Sequence, residues 1–320
     1  MAADSPLPLP ALLAKARAGE RRALARMISA IERGEGLPGI PFTGADADNS
    51  LCIGITGAPG AGKSTLVSEL VERLLVDADS VAVLAVDPSS PISRGALLGD
   101  RVRMQRHATS PRVFIRSMAT RSHQGGLAGA TQASRRLLQY CGWSLVLIET
   151  VGVGQVELDV VNTADLAIVV LNPGWGDEIQ ANKAGLMEIA DIFVINKADR
   201  PGLETTRRDI DAVIANRPKN ERPPVIETVA SEGQGIDELS AAISSVHGAL
   251  RASGELQRRR QGQLQMELSQ QLRRRFSSAL NEHRKSDAFR TQIAALVAGE
   301  GNMEMAADQL IVELLDSMQD

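Results

Sequence analysis

The segment GAPGAGKST, Gly57 to Thr65, sets Gly57, Gly62, Lys63 and Ser64 in the spacing G-x-x-x-x-G-K-S/T. That spacing suits a polyphosphate. Glycines let successive backbone N–H groups turn toward phosphate oxygens, and Ala58, Pro59, Gly60 and Ala61 complete the loop between them. Lys63 would neutralise β and γ charge, and Ser64, followed by Thr65, offers a hydroxyl to Mg²⁺. An apolar run precedes the loop and a helical pattern begins near Lys63, so a positive helix end faces the same point. A glycine-rich turn without a ligand is the plain alternative, and the flanking strand and helix weigh against it. The motif alone separates neither ATP from GTP nor hydrolase from kinase.

A second motif makes that separation. NKAD, Asn196 to Asp199, ends the apolar run DIFVI and so sits at the carboxyl end of a strand. The Asp199 carboxylate can accept from both N1–H and the 2-amino group of guanine, and adenine presents neither donor there. Lys197 can lay its stem along the base plane. As a lone tetrapeptide, NKAD is more often a surface turn, but its place downstream of the phosphate loop favours the base. VASEGQG, 229–235, follows the next strand, and backbone amides around Ser231, Glu232 and Gly233 are candidates for the guanine oxygen.

Acidic residues supply the metal chemistry. VDPSSPISRGALLGD, 86–100, carries Asp87 and Asp100, and ETVGVGQ, 149–155, opens with Glu149. Asp87, Asp100 and Glu149 are candidates to hold Mg²⁺ directly or through water. A turn cap for Asp87 and a surface helix position for Asp100 are the structural alternatives. Glu149 is one methylene longer than the usual Asp. Gly152 can offer its N–H to a γ-phosphate, but Val153 can orient no water, and Gln155 lies two residues further on. The site thus reads as able to bind GTP and Mg²⁺ but poorly equipped for fast unaided hydrolysis; a second element or a partner would supply what is missing. LNPGWGDEIQANKAG, 171–185, is a candidate for that element: a tryptophan between glycines, then Asp177, Glu178, Gln180 and Lys183. A loop capped by Asp177 and running into an amphipathic helix is the simpler reading, and it leaves the tryptophan unexplained.

The elements that position these motifs are short apolar runs alternating with helical stretches, at 51–56, 81–86, 112–116, 144–149, 166–171, 191–196 and 224–229. Such alternation predicts an α/β fold, a mostly parallel sheet covered on both faces. The expected domains are a helical extension and linker over 1–50, a nucleotide-binding domain over 51–250 and a helical region over 251–320. Residues 11–33 predict one or two short helices broken near Ala18-Gly19; an Arg-rich transit peptide is the less favoured reading. After 250, Leu264, Leu268, Leu272, Phe276 and Leu280 recur every four residues, a slanting stripe suited to a crossing helix. The local surplus of ten basic over four acidic residues in 251–290 reads as a solvated face.

The 320 residues are 43% hydrophobic but 2% aromatic, so aliphatic side chains must fill the core. A net charge of -4 argues against a general nucleic-acid binder. The longest aliphatic runs have six residues, far short of a membrane span of about 20, and two scattered cysteines predict no disulfide framework. A cytoplasmic location is expected.

Taken together, GAPGAGKST, VDPSSPISRGALLGDR, IRSMATRSHQGGLAGAT, ETVGVGQ, NPGWGDEIQANKAG and NKAD, in that order, resemble the MeaB/ArgK-type GTPases, G-protein chaperones of adenosylcobalamin-dependent methylmalonyl-CoA mutase. The resemblance covers most of the chain. It implies a P-loop G domain with a helical N-terminal extension and a C-terminal helical dimerisation arm, hence a homodimer. It implies that Asp87, Asp100 and Glu149 belong to the metal and switch region, and that 174–183 forms a third switch carrying the nucleotide signal to the mutase. The implied role is to gate cobalamin delivery and to protect or reactivate the loaded mutase. A nickel-insertion maturation GTPase is the alternative; it would need a Cys/His cluster, and Cys52, Cys141, His107, His123, His247 and His283 show no ligand-like spacing. A kinase would need an acceptor site and a base.

Overall fold

The computed structural model describes residues 8–35, 40, 50–87, 105–107, 109–119, 126–150, 162–174 and 188–317. Two compact units emerge, Met1–Gln261 and Gly262–Asp320. The first holds a seven-stranded sheet in the order β3-β2-β4-β1-β5-β6-β7, every described pairing parallel. The strands are β1 (Leu51–Gly57), β2 (Val81–Asp87), β3 (Val113–Ala119), β4 (Leu145–Thr150), β5 (Leu166–Leu171), β6 (Ile192–Asn196) and β7 (Val225–Thr228).

Side chains alternate across this sheet as the pleat requires. Ile53, Val83 and Leu147 join one core with Leu66, Leu70 and Leu74 of α3 (Lys63–Leu74), Ile210 and Ile214 of α5 (Leu203–Ile214), and Leu239 and Ile243 of α6 (Ile236–Ala252). Their neighbours Cys52, Ala82 and Val146 join the other core with α1 (Leu9–Arg17), α2 (Arg21–Glu32) and α4 (Gly126–Tyr140). Residues buried on both faces explain why the strands are unbroken apolar runs. The N-terminal helices break at Ala18–Glu20, and Leu24, Met27, Ile28 and Ile31 of α2 are buried on one stripe. β3 runs to Ala119, beyond the expected 116, because its pairing with β2 continues to Asp87↔Ala119, past Arg116. Its guanidinium donates to Glu32 Oε2 at 2.5 Å and to Ser29 Oγ at 2.9 Å.

Paired charges tie the amino edge of the sheet. Asp165, just before β5, is fully buried and receives Arg135 Nη2 at 2.7 Å, Arg260 Nε and Nη2 at 3.0 Å each, and the Cys52 N–H at 2.9 Å. Burial works against its ionisation, but Arg135 and Arg260 outweigh that and hold the carboxyl below its ordinary range. Asp191, just before β6, takes a two-pronged contact from Arg259 at 2.8 and 2.9 Å. Arg259 and Arg260 lie near the start of α7 (Glu255–His283). Burial pushes the Cys52 thiol up to about 12 and the Cys141 thiol up to about 11, so both stay protonated.

In the second unit α7 continues, followed by α8 (Asp287–Val297), capped by the Ser286 hydroxyl accepting from the Phe289 N–H at 3.2 Å, and α9 (Met303–Ser317). Met266, Leu268, Leu272, Phe276 and Leu280 of α7 and Ile311, Val312 and Leu315 of α9 are exposed. Among the described residues no helix is long and apolar enough to cross a membrane.

Candidate functional site

β1 lies between β4 and β5, where the strand order reverses, and the segments that follow β1, β6 and β7 are joined there by hydrogen bonds. The loop after β1 starts at Gly57, whose φ of +139° and position against β5 admit only glycine: a Cβ would lie 1.9 Å from the Val170 carbonyl oxygen. The Ala58 N–H donates to that oxygen at 3.2 Å. Gly62, the residue before α3, has φ +90°, and a Cβ there would come within 2.5 Å of Asn196 Nδ2. Lys63 opens α3, is buried, and donates through Nζ to the carbonyls of Gly57 at 2.8 Å and Ala58 at 3.0 Å. Its ammonium therefore hangs over the loop formed by Ala58, Pro59, Gly60 and Ala61. Thr65 follows Ser64 in the first turn of α3.

The Ser64 hydroxyl donates to Glu149 Oε1 at 2.6 Å, both residues being buried. β4 brings Glu149 here by pairing it with Ile55, two residues before Gly57. A hydroxyl and a carboxylate oxygen this close are hard donors of the kind Mg²⁺ takes, and they fit that ion. Asp87 is the last residue of β2, its side chain outside the described residues. Asp100, Gly152, Asp177, Gln180 and Lys183 also lie outside them.

NKAD begins on β6. Asn196 is buried and joins three loops: Nδ2 donates to the Ala61 carbonyl at 2.7 Å, while Oδ1 accepts from Thr228 Oγ1 at 3.0 Å and the Ala230 N–H at 3.1 Å. Lys197 adopts φ +61°, uncommon without a glycine, and Nζ donates to the Gly60 carbonyl at 2.5 Å. Asp199 is exposed at the same edge, next to Ala198, whose N–H donates to the Thr228 carbonyl at 3.0 Å. Ser231, Glu232 and Gly233 are exposed in the turn after β7, closed by the Val229–Gln234 bridge. Glu232 accepts from Gln234 Nε2 at 2.9 Å. The phosphate loop, Glu149 and the base motif thus come together on one edge. The sequence motifs leave out Thr228; its signal was a polar residue ending a strand directly before VASEGQG.

A parallel sheet whose β1 loop cradles a lysine, a serine and a carboxylate, bordered by NKAD, defines a P-loop GTPase. The chain belongs to the family described as methylmalonyl Co-A mutase-associated GTPase MeaB, which matches residues 42–285. It is 42% identical over 315 residues to a Pyrococcus abyssi protein described as a GTPase, covering 95% of this chain and 96% of that one. To the Escherichia coli GTPase ArgK it is 40% identical over 266 residues, 77% of this chain and 78% of that one. To the mouse mitochondrial methylmalonic aciduria type A homolog it is 38% identical over 217 residues, 66% of this chain and 52% of the mouse protein. Among solved structures, one titled LAO/AO transport system kinase superposes with a TM-score of 0.63 at 28% identity, covering 97% of this chain and all of that chain. The protein is a GTPase of the MeaB/ArgK type, hydrolysing GTP and water to GDP and phosphate.

Proposed function

We propose that this GTPase is a chaperone that gates adenosylcobalamin delivery to, and protects or reactivates, methylmalonyl-CoA mutase or a close acyl-CoA mutase, working in the cytoplasm. The observation that carries the reading is the family match over 42–285, which spans every motif of the site. Gly57 to Thr65 would hold the phosphates, Lys63 their charge, and Gly152 the γ-phosphate. Asn196, Lys197, Asp199 and the turn Ser231–Gly233 would hold guanine. Ser64 and Glu149, with Asp87 and Asp100, would hold Mg²⁺, which when bound offsets charge on the phosphate oxygens. Asp177, Gln180 and Lys183 would form the switch that the mutase brings into register. Basal hydrolysis would be slow, because Val153 orients no water. Residues 251–320 would form a homodimerisation arm; the exposed Leu268, Leu272, Phe276 and Leu280 support this.

The test is steady-state GTP hydrolysis with and without a saturating adenosylcobalamin-dependent acyl-CoA mutase. Stimulation is expected, and Lys183→Ala should lose most of it while keeping GTP binding, because a cation near the transferring phosphoryl group stabilises the transition state. A parent protein stimulated by no such mutase would overturn the chaperone reading. Equal loss of both rates would make Lys183 an ordinary active-site or structural residue.

A further inference from the structure

We propose that Thr228 is a positioning residue for guanine-nucleotide retention, acting through Asn196; the proposal rests on the guanine-site reading above. The orientation of the Asn196 carboxamide is fixed by partners that cannot exchange roles. The Ala61 carbonyl only accepts, so it faces Nδ2 at 2.7 Å; the Ala230 N–H only donates, so it faces Oδ1 at 3.1 Å. The Thr228 hydroxyl, 3.0 Å from Oδ1, must therefore donate to it. Oδ1 is thus filled by two donors from the end of β7, and Nδ2 is aimed at the phosphate loop. Thr228 and Asn196 are both buried, so water does not replace a lost donor cheaply.

Thr228 also ties the backbone. Its carbonyl accepts from the Ala198 N–H at 3.0 Å, inside NKAD. Its methyl faces Gly235, where a Cβ would meet Thr228 Cγ2 at 3.0 Å and the Glu227 carbonyl oxygen at 2.1 Å. The hydroxyl and the methyl thus have separate duties. The methyl packs the turn Val229–Gly235; the hydroxyl sets the amide that joins the base motif to the phosphate loop. Loss of the hydroxyl loosens the phosphate loop and the base motif together, so nucleotide leaves faster whatever its base.

Two near-isosteric variants separate these duties. Thr228→Val keeps the methyl and removes the hydroxyl; Thr228→Ser does the reverse. Dissociation of fluorescent GDP and IDP from the full-length protein is the readout, with Asp199→Ala as a control. Thr228→Val should release both nucleotides roughly three- to tenfold faster, the loss of one buried hydrogen bond, and Thr228→Ser should stay near the parent. Asp199→Ala should abolish the preference for GDP over IDP, because inosine lacks the 2-amino group. If Thr228→Val releases GDP at the parental rate, or Thr228→Ser releases it as fast as or faster than Thr228→Val, the proposal is overturned and the hydroxyl is only packing. If Asp199→Ala keeps the GDP preference, the guanine-site reading itself fails.

Discussion

The two edges of one sheet are built from different chemistry. At the amino edge, Asp165 and Asp191 are held by Arg135, Arg259 and Arg260 in paired, largely buried charges. At the carboxyl edge, the loops meet through neutral hydrogen bonds at Asn196, and Lys63 and Lys197 donate to carbonyls of the loop they overhang. β1, β5 and β6 run through both. A buried charge that loses its partner is costly, so the amino edge is fixed. The ammonium groups of Lys63 and Lys197, resting on backbone carbonyls, can exchange those partners for phosphate oxygens, which carry the opposite charge. Stability thus resides in the charge pairs of the amino edge, and freedom to exchange ligands in the lysines of the carboxyl edge.

The sharpest way to break the contrast is Asp165→Ala. It leaves Arg135 and Arg260 facing each other without their shared carboxylate, and should cost about 3–5 kcal/mol of stability in denaturant unfolding. GDP affinity of the molecules still folded should be unchanged, because the edge that binds is not touched. The same carboxylate sets a pH dependence. Its folded value lies below the ordinary aspartate value of about 3.9. Its contribution is therefore complete above that ordinary value and disappears as pH falls through the depressed folded value. Unfolding curves between about pH 5 and pH 2 should show a steeper acid loss in the parent than in Asp165→Asn. Equal slopes would place the acid sensitivity elsewhere.

Lys63→Ala acts on the other edge and should do the reverse. GTP affinity by calorimetry should fall by about a hundredfold or more, the loss of charge-assisted contacts to two phosphates, while the melting temperature of the nucleotide-free protein stays near the parent's. Unchanged affinity would remove the phosphate-loop assignment. Asp199→Asn is expected to be subtler, moving preference from guanine toward xanthine, since an amide can donate where a carboxylate only accepts. Competition between GTP and XTP measures it; a variant that keeps the parental choice shows that Asp199 does not read the base.

The carboxyl edge was far more legible in the sequence than the amino edge. Gly57, Gly62, Lys63 and Ser64 fall in eight residues, and NKAD in four, so local spacing carries their chemistry. The strands were legible because burial on both faces makes them continuous apolar runs, and β3 was read short because Arg116 interrupts its run. Nothing local marks Asp165: its partner Arg260 stands 95 residues away, in a run of three arginines that reads as a solvated face. Arg258 does stay exposed beside Glu255, while Arg259 and Arg260 turn inward to the strand starts. The Thr228–Asn196 bond, 32 residues apart, was hidden for the same reason.

The smallest expected effect tests whether the amino edge needs shape as well as charge. Arg259 reaches Asp191 with both terminal nitrogens, at 2.8 and 2.9 Å, while Asp191 also accepts from the Ala167 N–H at 2.8 Å. That N–H belongs to the start of β5, so one carboxylate couples the starts of β5 and β6 to α7. Arg259→Lys keeps the charge but presents a single ammonium in place of a planar fork. The carboxylate stays paired, so the large cost of an orphaned buried charge does not arise; what is lost is the second of two parallel hydrogen bonds. The expected change is about 1 kcal/mol in denaturant unfolding, against the several expected for Asp165→Ala. GDP dissociation should be parental. A loss as large as that of Asp165→Ala would mean that fork geometry, not charge pairing, holds this edge. A change in GDP release would mean that the amino edge communicates with the loops, and the separation between a fixed edge and an exchangeable one would fail.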